Sequence, residues 1–159
     1  MANKVWKFHN DVDTDQIIAS QYLLLPDIEA MKIYTFESLD PDFAKKVTPG
    51  DIVVASENFG CGSSREQAPS VLKALGIQAV IAKSFARIFY RNSINIGFPI
   101  LECPEASAAI NAGDIVSVDT KTGVITDETT GESFQAKPFP EFIENIIEKG
   151  GLLAYLKDK

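Results

Sequence analysis

Residues 56–70 read Ser-Glu-Asn-Phe-Gly-Cys-Gly-Ser-Ser-Arg-Glu-Gln-Ala-Pro-Ser, with two hydroxyls, Ser63 and Ser64, directly before the guanidinium of Arg65. Arginine's planar fork of donors suits a carboxylate. Gly60 and Gly62, just upstream, allow a close backbone approach that a Cβ would forbid. Residues 51–55 are apolar and rich in β-branching, which predicts a buried strand ahead of the loop. Val71, Leu72, Ala74 and Leu75 recur at helical spacing until Gly76, which predicts a helix behind it. Ser63 with Glu66, and Ser64 with Gln67, each fit a capping box, so the helix is expected to open at the serines. Free amide N–H groups and the positive helix end would then face an anion. Arg65 in a first turn opposes the helix dipole by roughly a few tenths of a kcal/mol. Such local violations are expected where function overrides stability. The stretch reads as a carboxylate-binding loop rather than a solvated N-cap.

Other chemistries fail on inventory. A Ser-His-acid triad needs a base, and the single histidine is His9, in the N-terminal strand region. Cys61 lacks an evident partner base and reads as a loop residue. The loop has neither a Gly-Lys-Ser/Thr ending nor Gly-x-Gly-x-x-Gly spacing, so it is no mononucleotide or dinucleotide fingerprint. Asp11, Asp13 and Asp15 alternate, but the glycine and terminal glutamate of an EF-hand are missing. A turn or helix N-cap with helpful negative charge explains them equally well.

The elements that must position the loop follow from periodicity. Val5 to Phe8 predicts an opening strand, 78–82 a second buried strand and 99–103 a third. Ser84 is expected to cap a helix running through Phe85, Ile88, Phe89, Ile94 and Ile96 to Gly97. Strands alternating with helices at this spacing imply a parallel core, with the loop at the carboxyl end of its strand, where open α/β sheets bind ligands. Tyr22 to Leu25 is apolar up to Pro26, and 27–36 is a weak helix candidate. From Gly113 onward, strands at 115–118, 124–126 and 133–136 are joined by hairpin-type turns. A closing helix from Phe142 to Leu156 breaks at Gly150-Gly151. The whole is an α/β fold over residues 1–159, one domain with a mainly parallel sheet and added antiparallel strands.

At 159 residues, with 45% hydrophobic and 23% charged content, the chain can bury a real core. A net charge of −7 and no basic cluster larger than Lys45-Lys46 argue against nucleic acid and anionic membranes as partners. No apolar run approaches a bilayer span and no signal-peptide core is evident. Two cysteines, Cys61 and Cys103, match no metal spacing. The expectation is a cytoplasmic protein with reduced thiols that binds no metal itself.

Asn58-Phe59-Gly60-Cys61-Gly62-Ser63-Ser64-Arg65-Glu66, then Ala82-Lys83-Ser84-Phe85-Ala86-Arg87-Ile88, resemble the swivelling domain of the aconitase superfamily. Asp13-Thr14-Asp15-Gln16-Ile17 matches that family's other block. Order and spacing agree over essentially the entire chain, and the overall similarity is to the stand-alone small subunits of dehydratases of the 3-isopropylmalate and homoaconitase kinds. The resemblance implies a three-layer β/β/α swivelling domain. It also implies a partner large subunit that carries a [4Fe–4S] cluster on three cysteines, with one iron acting as a Lewis acid on a small-molecule hydroxyacid. By family pattern Ser64 is the base, Ser63 and Arg65 bind substrate carboxylate, and Asp15 matches an acidic active-site residue.

A helix N-terminus offers at most about 2 kcal/mol to an anion, which lowers a pKa by about 1.5 units. That leaves a serine hydroxyl far from ionisation, so Arg65, N–H donors and exclusion of water must add to it. The large subunit is the natural lid. Homoaconitase-type relatives place an arginine at about Leu24, whereas Leu23, Leu24 and Leu25 are all apolar here. An unpaired carboxylate buried among them would cost several kcal/mol. The implied activity is a hydro-lyase interconverting 2- and 3-isopropylmalate in leucine biosynthesis. Citramalate or dimethylmalate remain open, since a methyl or two is worth about 1 to 3 kcal/mol. The rival of another class is a binding module that kept the loop without catalysis.

Overall fold

The computed structural model describes residues 3–137 and 139–157. In chain order the elements are β1 (Asn3–Lys7), α1 (Thr14–Ile17), α2 (Ile28–Met31), α3 (Phe43–Lys46), β2 (Ile52–Val54), α4 (Gln67–Ala74), β3 (Ala79–Ala82) and α5 (Arg87–Asn95). There follow β4 (Ile100–Glu102), α6 (Pro104–Ala109), β5 (Ile115–Asp119), β6 (Val124–Asp127), β7 (Glu132–Gln135), α7 (Glu141–Glu148) and α8 (Leu152–Lys157). Short 3₁₀ turns occupy Ser20–Leu24 and Lys32–Tyr34.

The strands form one seven-stranded sheet in the order β4-β3-β2-β1-β5-β6-β7. β1 to β4 pair in parallel, with Val5 opposite Ile52, Val53 opposite Val80 and Ile81 opposite Leu101. β5 joins β1 antiparallel, and β6 and β7 continue antiparallel from it. Side chains alternate across a strand, and both faces of the central strands β2 and β3 are buried, which is why those two are apolar throughout. Val53, Val80, Ala82 and Ile100 enter one core with Ile17, Phe43, Leu72 and Phe89 from the helices. Val5, Ile52, Val54, Ile81 and Leu101 enter a second with Val116 and Ile125 of the antiparallel strands and Ala106 and Ile110 around α6. The sheet therefore curls over itself: antiparallel strands on one face of the parallel ones, α1 to α5 on the other. These are the three layers, β on β on α, that the resemblance implies.

Two helix starts differ from expectation. α4 opens at Gln67 with Glu66 as its N-cap and no side-chain cap, so neither serine forms a capping box. The cause is Pro69. A helix starting at Ser64 would need the residue 69 N–H to bond the Arg65 carbonyl, and proline has none. Starting at Gln67 places Pro69 in the first turn, where that N–H has no intrahelical partner anyway. α5 opens at Arg87 after Ala86, again without a side-chain cap. Ser84 does not cap it, because its Oγ accepts the Asn58 N–H at 2.8 Å. The closing helix is interrupted as expected, between α7 and α8 at Gly150-Gly151. Among the described residues no helix is long and apolar enough to cross a membrane.

Candidate active site

The three sequence blocks converge at the carboxyl ends of β1, β2 and β3. After β1, the chain at 11–14 runs beside the loop after β2: Asp11 N–H bonds Glu57 O at 2.8 Å, Gly60 N–H bonds Val12 O at 2.7 Å, and Thr14 N–H bonds Cys61 O at 2.8 Å. On its other side the loop meets the segment after β3. Lys83 N–H bonds Ser56 O at 3.0 Å, Phe59 N–H bonds Ser84 O at 3.1 Å, and Ala86 N–H bonds Phe59 O at 2.9 Å. The Asp-Thr-Asp-Gln turn is itself rigid. Asp13 caps α1, accepting the Gln16 N–H at 2.8 Å, while the Gln16 side chain accepts the Asp13 N–H at 3.1 Å.

The loop's path depends on backbone geometry that few residues adopt. Asn58 has φ 58°, a left-handed conformation asparagine tolerates, and its Nδ2 donates to Asp11 Oδ1 at 3.1 Å. Gly60 has φ 84°, and a Cβ there would lie 2.2 Å from Phe89 Cγ. Phe89 cannot yield, being packed edge-on against Phe59 at 5.1 Å and stacked with Phe85 at 6.2 Å. The glycine is required by close packing as well as by its turn.

Past Gly62 the chain emerges into solvent, and Ser63 and Ser64 are exposed. Among the described residues, the amide N–H groups of Ser63, Ser64, Arg65 and Glu66 have no protein acceptor. Anion-ready donors are thus present, though supplied by the irregular segment before α4 and not by a helix opening at Ser63. Arg65 lies back across the first block. Its Nη1 donates to Asp15 Oδ1 at 3.0 Å and to Ile18 O at 3.0 Å, with the arginine side chain 15% exposed and the aspartate 62%. The Arg65 hydrogen bond, aided by the Ser20 N–H, holds the Asp15 carboxyl below the usual carboxylate range against a slight opposing effect of burial. Burial, then the charges of Asp13 and Asp11, push the Cys61 thiol up, so it is no activated nucleophile.

The leucines separate. Leu23 and Leu25 are half-buried against the helical core, while Leu24 is 91% exposed at the end of the 3₁₀ turn. That turn is tethered to the site through Ser20 N–H, 3.2 Å from Asp15 Oδ1. Its far side is held by Tyr22, which stacks on Tyr34 with ring centroids 4.0 Å apart and donates its hydroxyl to Glu37. His9 is exposed, with Nδ1 2.6 Å from Asn10 O, and makes no bond to either serine. Asn58, Thr14 and Ser84 shape the loop, a task that reading the residues as a ligand set did not assign. The signal for Asn58 was an asparagine two residues before a loop glycine, a pattern common in left-handed turns.

An iron–sulfur cluster does not fit this chain. A cluster is held by three or four thiolates; the chain has two cysteines, and Cys103 is buried in the second core. Among the described residues no group of three or more His, Cys, Asp and Glu side chains is arranged to hold a metal ion.

A parallel core folded beneath its own antiparallel extension, carrying a Gly-Ser-Ser-Arg loop at its strand ends, defines a swivelling domain of the aconitase kind. Residues 7–106 match the aconitase C-terminal domain, and the chain belongs to that family. Over 152 residues it is 56% identical to the 2,3-dimethylmalate dehydratase small subunit of Eubacterium barkeri, covering 96% of this chain and 93% of that one. Over 157 residues it is 53% identical to the 3-isopropylmalate dehydratase small subunit of Methanosarcina mazei, covering 99% and 96%. A crystal structure of a 3-isopropylmalate dehydratase from Methanocaldococcus jannaschii superposes with a TM-score of 0.94 at 43% identity, covering 99% of this chain and 93% of that one.

Proposed function

We propose that this chain is the small subunit of a cytoplasmic two-subunit hydro-lyase that interconverts 2- and 3-isopropylmalate through isopropylmaleate in leucine biosynthesis. The observation that carries this reading is the backbone junction of three separate blocks. It leaves Ser63 and Ser64 exposed beside the Arg65–Asp15 pair, in a chain more than half identical to dehydratase small subunits. Ser64 Oγ takes the carbon-bound proton in the dehydration half-reaction. Ser63, the free amides and Arg65 bind substrate carboxylate. Arg65 Nη1 is occupied by Asp15 and Ile18, so Nε and Nη2 are the donors left for substrate. Asp15 acts by orienting that fork.

The partner is the large subunit, and the [4Fe–4S] cluster belongs to it. With α4 opening three residues beyond Ser64, the helix dipole contributes still less to ionising the serine than a capped helix would. Exclusion of water by the partner surface must therefore supply much of the activation. The 2,3-dimethylmalate relative supports a second reading, the same chemistry on a smaller alkyl malate.

The test is to mix the purified chain anaerobically with the cluster-bearing large subunit and follow isopropylmaleate absorbance. Turnover of 3-isopropylmalate only in the mixture, abolished by Ser64→Ala, is the expected result. Turnover of dimethylmalate alone favours the second reading, and association without any turnover favours a binding module. Leu24→Arg is expected to admit a substrate with an extra carboxylate; unchanged specificity would count against Leu24 facing the substrate.

A further inference from the structure

We infer that Thr14 is a positioning residue for the reaction, setting the plane of the Ser63–Ser64 peptide and thereby the direction of the Ser64 amide and the placement of the Cα that carries its hydroxyl. Thr14 is 3% exposed and carries no charge. Its Oγ1 donates to Ser63 O at 2.7 Å, and its N–H donates to Cys61 O at 2.8 Å. The two bonds grip the carbonyls on either side of Gly62, which has φ 89° and would otherwise be the freest joint in the loop. Thr14 is also the first residue of α1, so its N–H would be an orphan donor of that helix; the loop satisfies it. The Asp13–Gln16 capping box holds Thr14 itself.

The consequence follows from peptide planarity. No peptide among the described residues is cis, so the carbonyl of Ser63 and the N–H of Ser64 point in opposite directions across one plane. With the carbonyl held on Thr14, the Ser64 N–H must point away from α1, and the Ser64 Cα, which lies cis to that carbonyl oxygen across the C–N bond, is fixed in place with the plane. A valine at position 14 keeps the shape but frees the Ser63 carbonyl to turn toward water, and the plane can then rotate about the Cα–C bond of Ser63. Misplacing a reacting group by about 1 Å can lower a rate by about 100-fold. A purely packing role would be served equally well by valine.

The inference rests on the hydro-lyase reading, and its test separates the two. Thr14→Val and Thr14→Ser are assayed in the reconstituted two-subunit enzyme, alongside the melting temperature of each chain and its affinity for the large subunit. Thr14→Val is expected to lower kcat by about 10- to 100-fold with KM changed less than about three-fold, while Thr14→Ser restores kcat. Wild-type kcat in Thr14→Val overturns the inference, as does a Thr14→Ser variant no better than Thr14→Val. If the wild-type enzyme turns over no hydroxyacid, the hydro-lyase reading fails instead. The positioning is then decided on the isolated chain by the backbone amide resonance of Ser64. It should shift or broaden in Thr14→Val and stay in place in Thr14→Ser; an unmoved resonance in Thr14→Val overturns it.

Discussion

The loop side of the molecule and the antiparallel half hold their chains in place by opposite means. Around the loop, three segments distant in sequence are joined through backbone groups, left-handed residues and one ion pair, and Ser63 and Ser64 stand in solvent. In the antiparallel half, β5, β6 and β7 are joined by hairpin turns and an ordinary ladder. It also holds a buried acid pair, Asp114 and Asp127. The acids belong to a structural corner, where Asp127 Oδ1 also accepts the Thr129 and Thr130 N–H groups at 3.0 and 3.3 Å. Rigidity built from long-range backbone contacts places chemistry, whereas rigidity built from local turns supports only the fold.

Ser64→Ala breaks the comparison at its functional end. It should lower kcat of the reconstituted enzyme by about 1,000-fold or more while leaving the melting temperature unchanged, because the side chain is exposed. Next comes Gly60→Ala, whose Cβ would meet Phe89 at 2.2 Å. It should cost about 3 kcal/mol or more, a fall of roughly 10 °C in thermal unfolding. The matching change in the other half, Gly131→Ala, has φ 81° but nothing within 4 Å of the new Cβ. It should cost only about 1 kcal/mol, or about 3 °C. Equal losses at the two glycines would remove the distinction between required packing and a permissive turn.

Arg65→Lys keeps the charge and loses the fork. Its expected effect is a KM raised about ten-fold with little change in melting, since an ion pair with so exposed an aspartate is worth about 0 to 1 kcal/mol. Lowering the pH should act in the same direction. Asp15 is held below the usual carboxylate range, so what the pair contributes is present above the unfolded value and is lost as pH falls through the depressed one.

The smallest effect is expected at the acid pair. Burial and the hydrogen bond to Asp114 raise Asp127, so its contribution is complete below the unfolded value and lost as pH rises through the raised one. The same hydrogen bond, with the Asn111 N–H, lowers Asp114, whose contribution is lost as pH falls through its depressed value. The corner is best satisfied with one shared proton, and stability should decline modestly on both sides. Asp127→Asn keeps a donor at every pH and should flatten the decline on the alkaline side in melting curves. An unaltered pH profile would mean the two carboxyls do not share a proton.

The sequence carried the strands, because runs such as Ile52-Val53-Val54 and Ala79-Val80-Ile81-Ala82 are buried on both faces and must be apolar throughout. It also carried the three blocks, and of the two explanations left open for the acids at 11–15 the structure takes the N-cap, with Asp13 as the cap of α1. The sequence misplaced the openings of α4 and α5. Ser63, Ser64 and Ser84 resemble caps when read locally, but Pro69 postpones one helix and the Ser84 hydroxyl is taken by Asn58 from another strand's loop. Leu23, Leu24 and Leu25 looked equivalent for a similar reason, until a 3₁₀ turn sent only Leu24 outward.

By itself, then, the sequence determined the strands and the functional groups that the loop offers, since periodicity and functional-group chemistry are properties of short stretches, while the short helices α3 and α6 carried too little periodicity to be read. The tertiary structure alone decided that Thr14 grips the loop, that Arg65 is tied to Asp15 and that Gly60 must lack a side chain. Each depends on groups 29 to 50 residues apart meeting within about 3 Å, and no local pattern encodes which distant backbone group will be there.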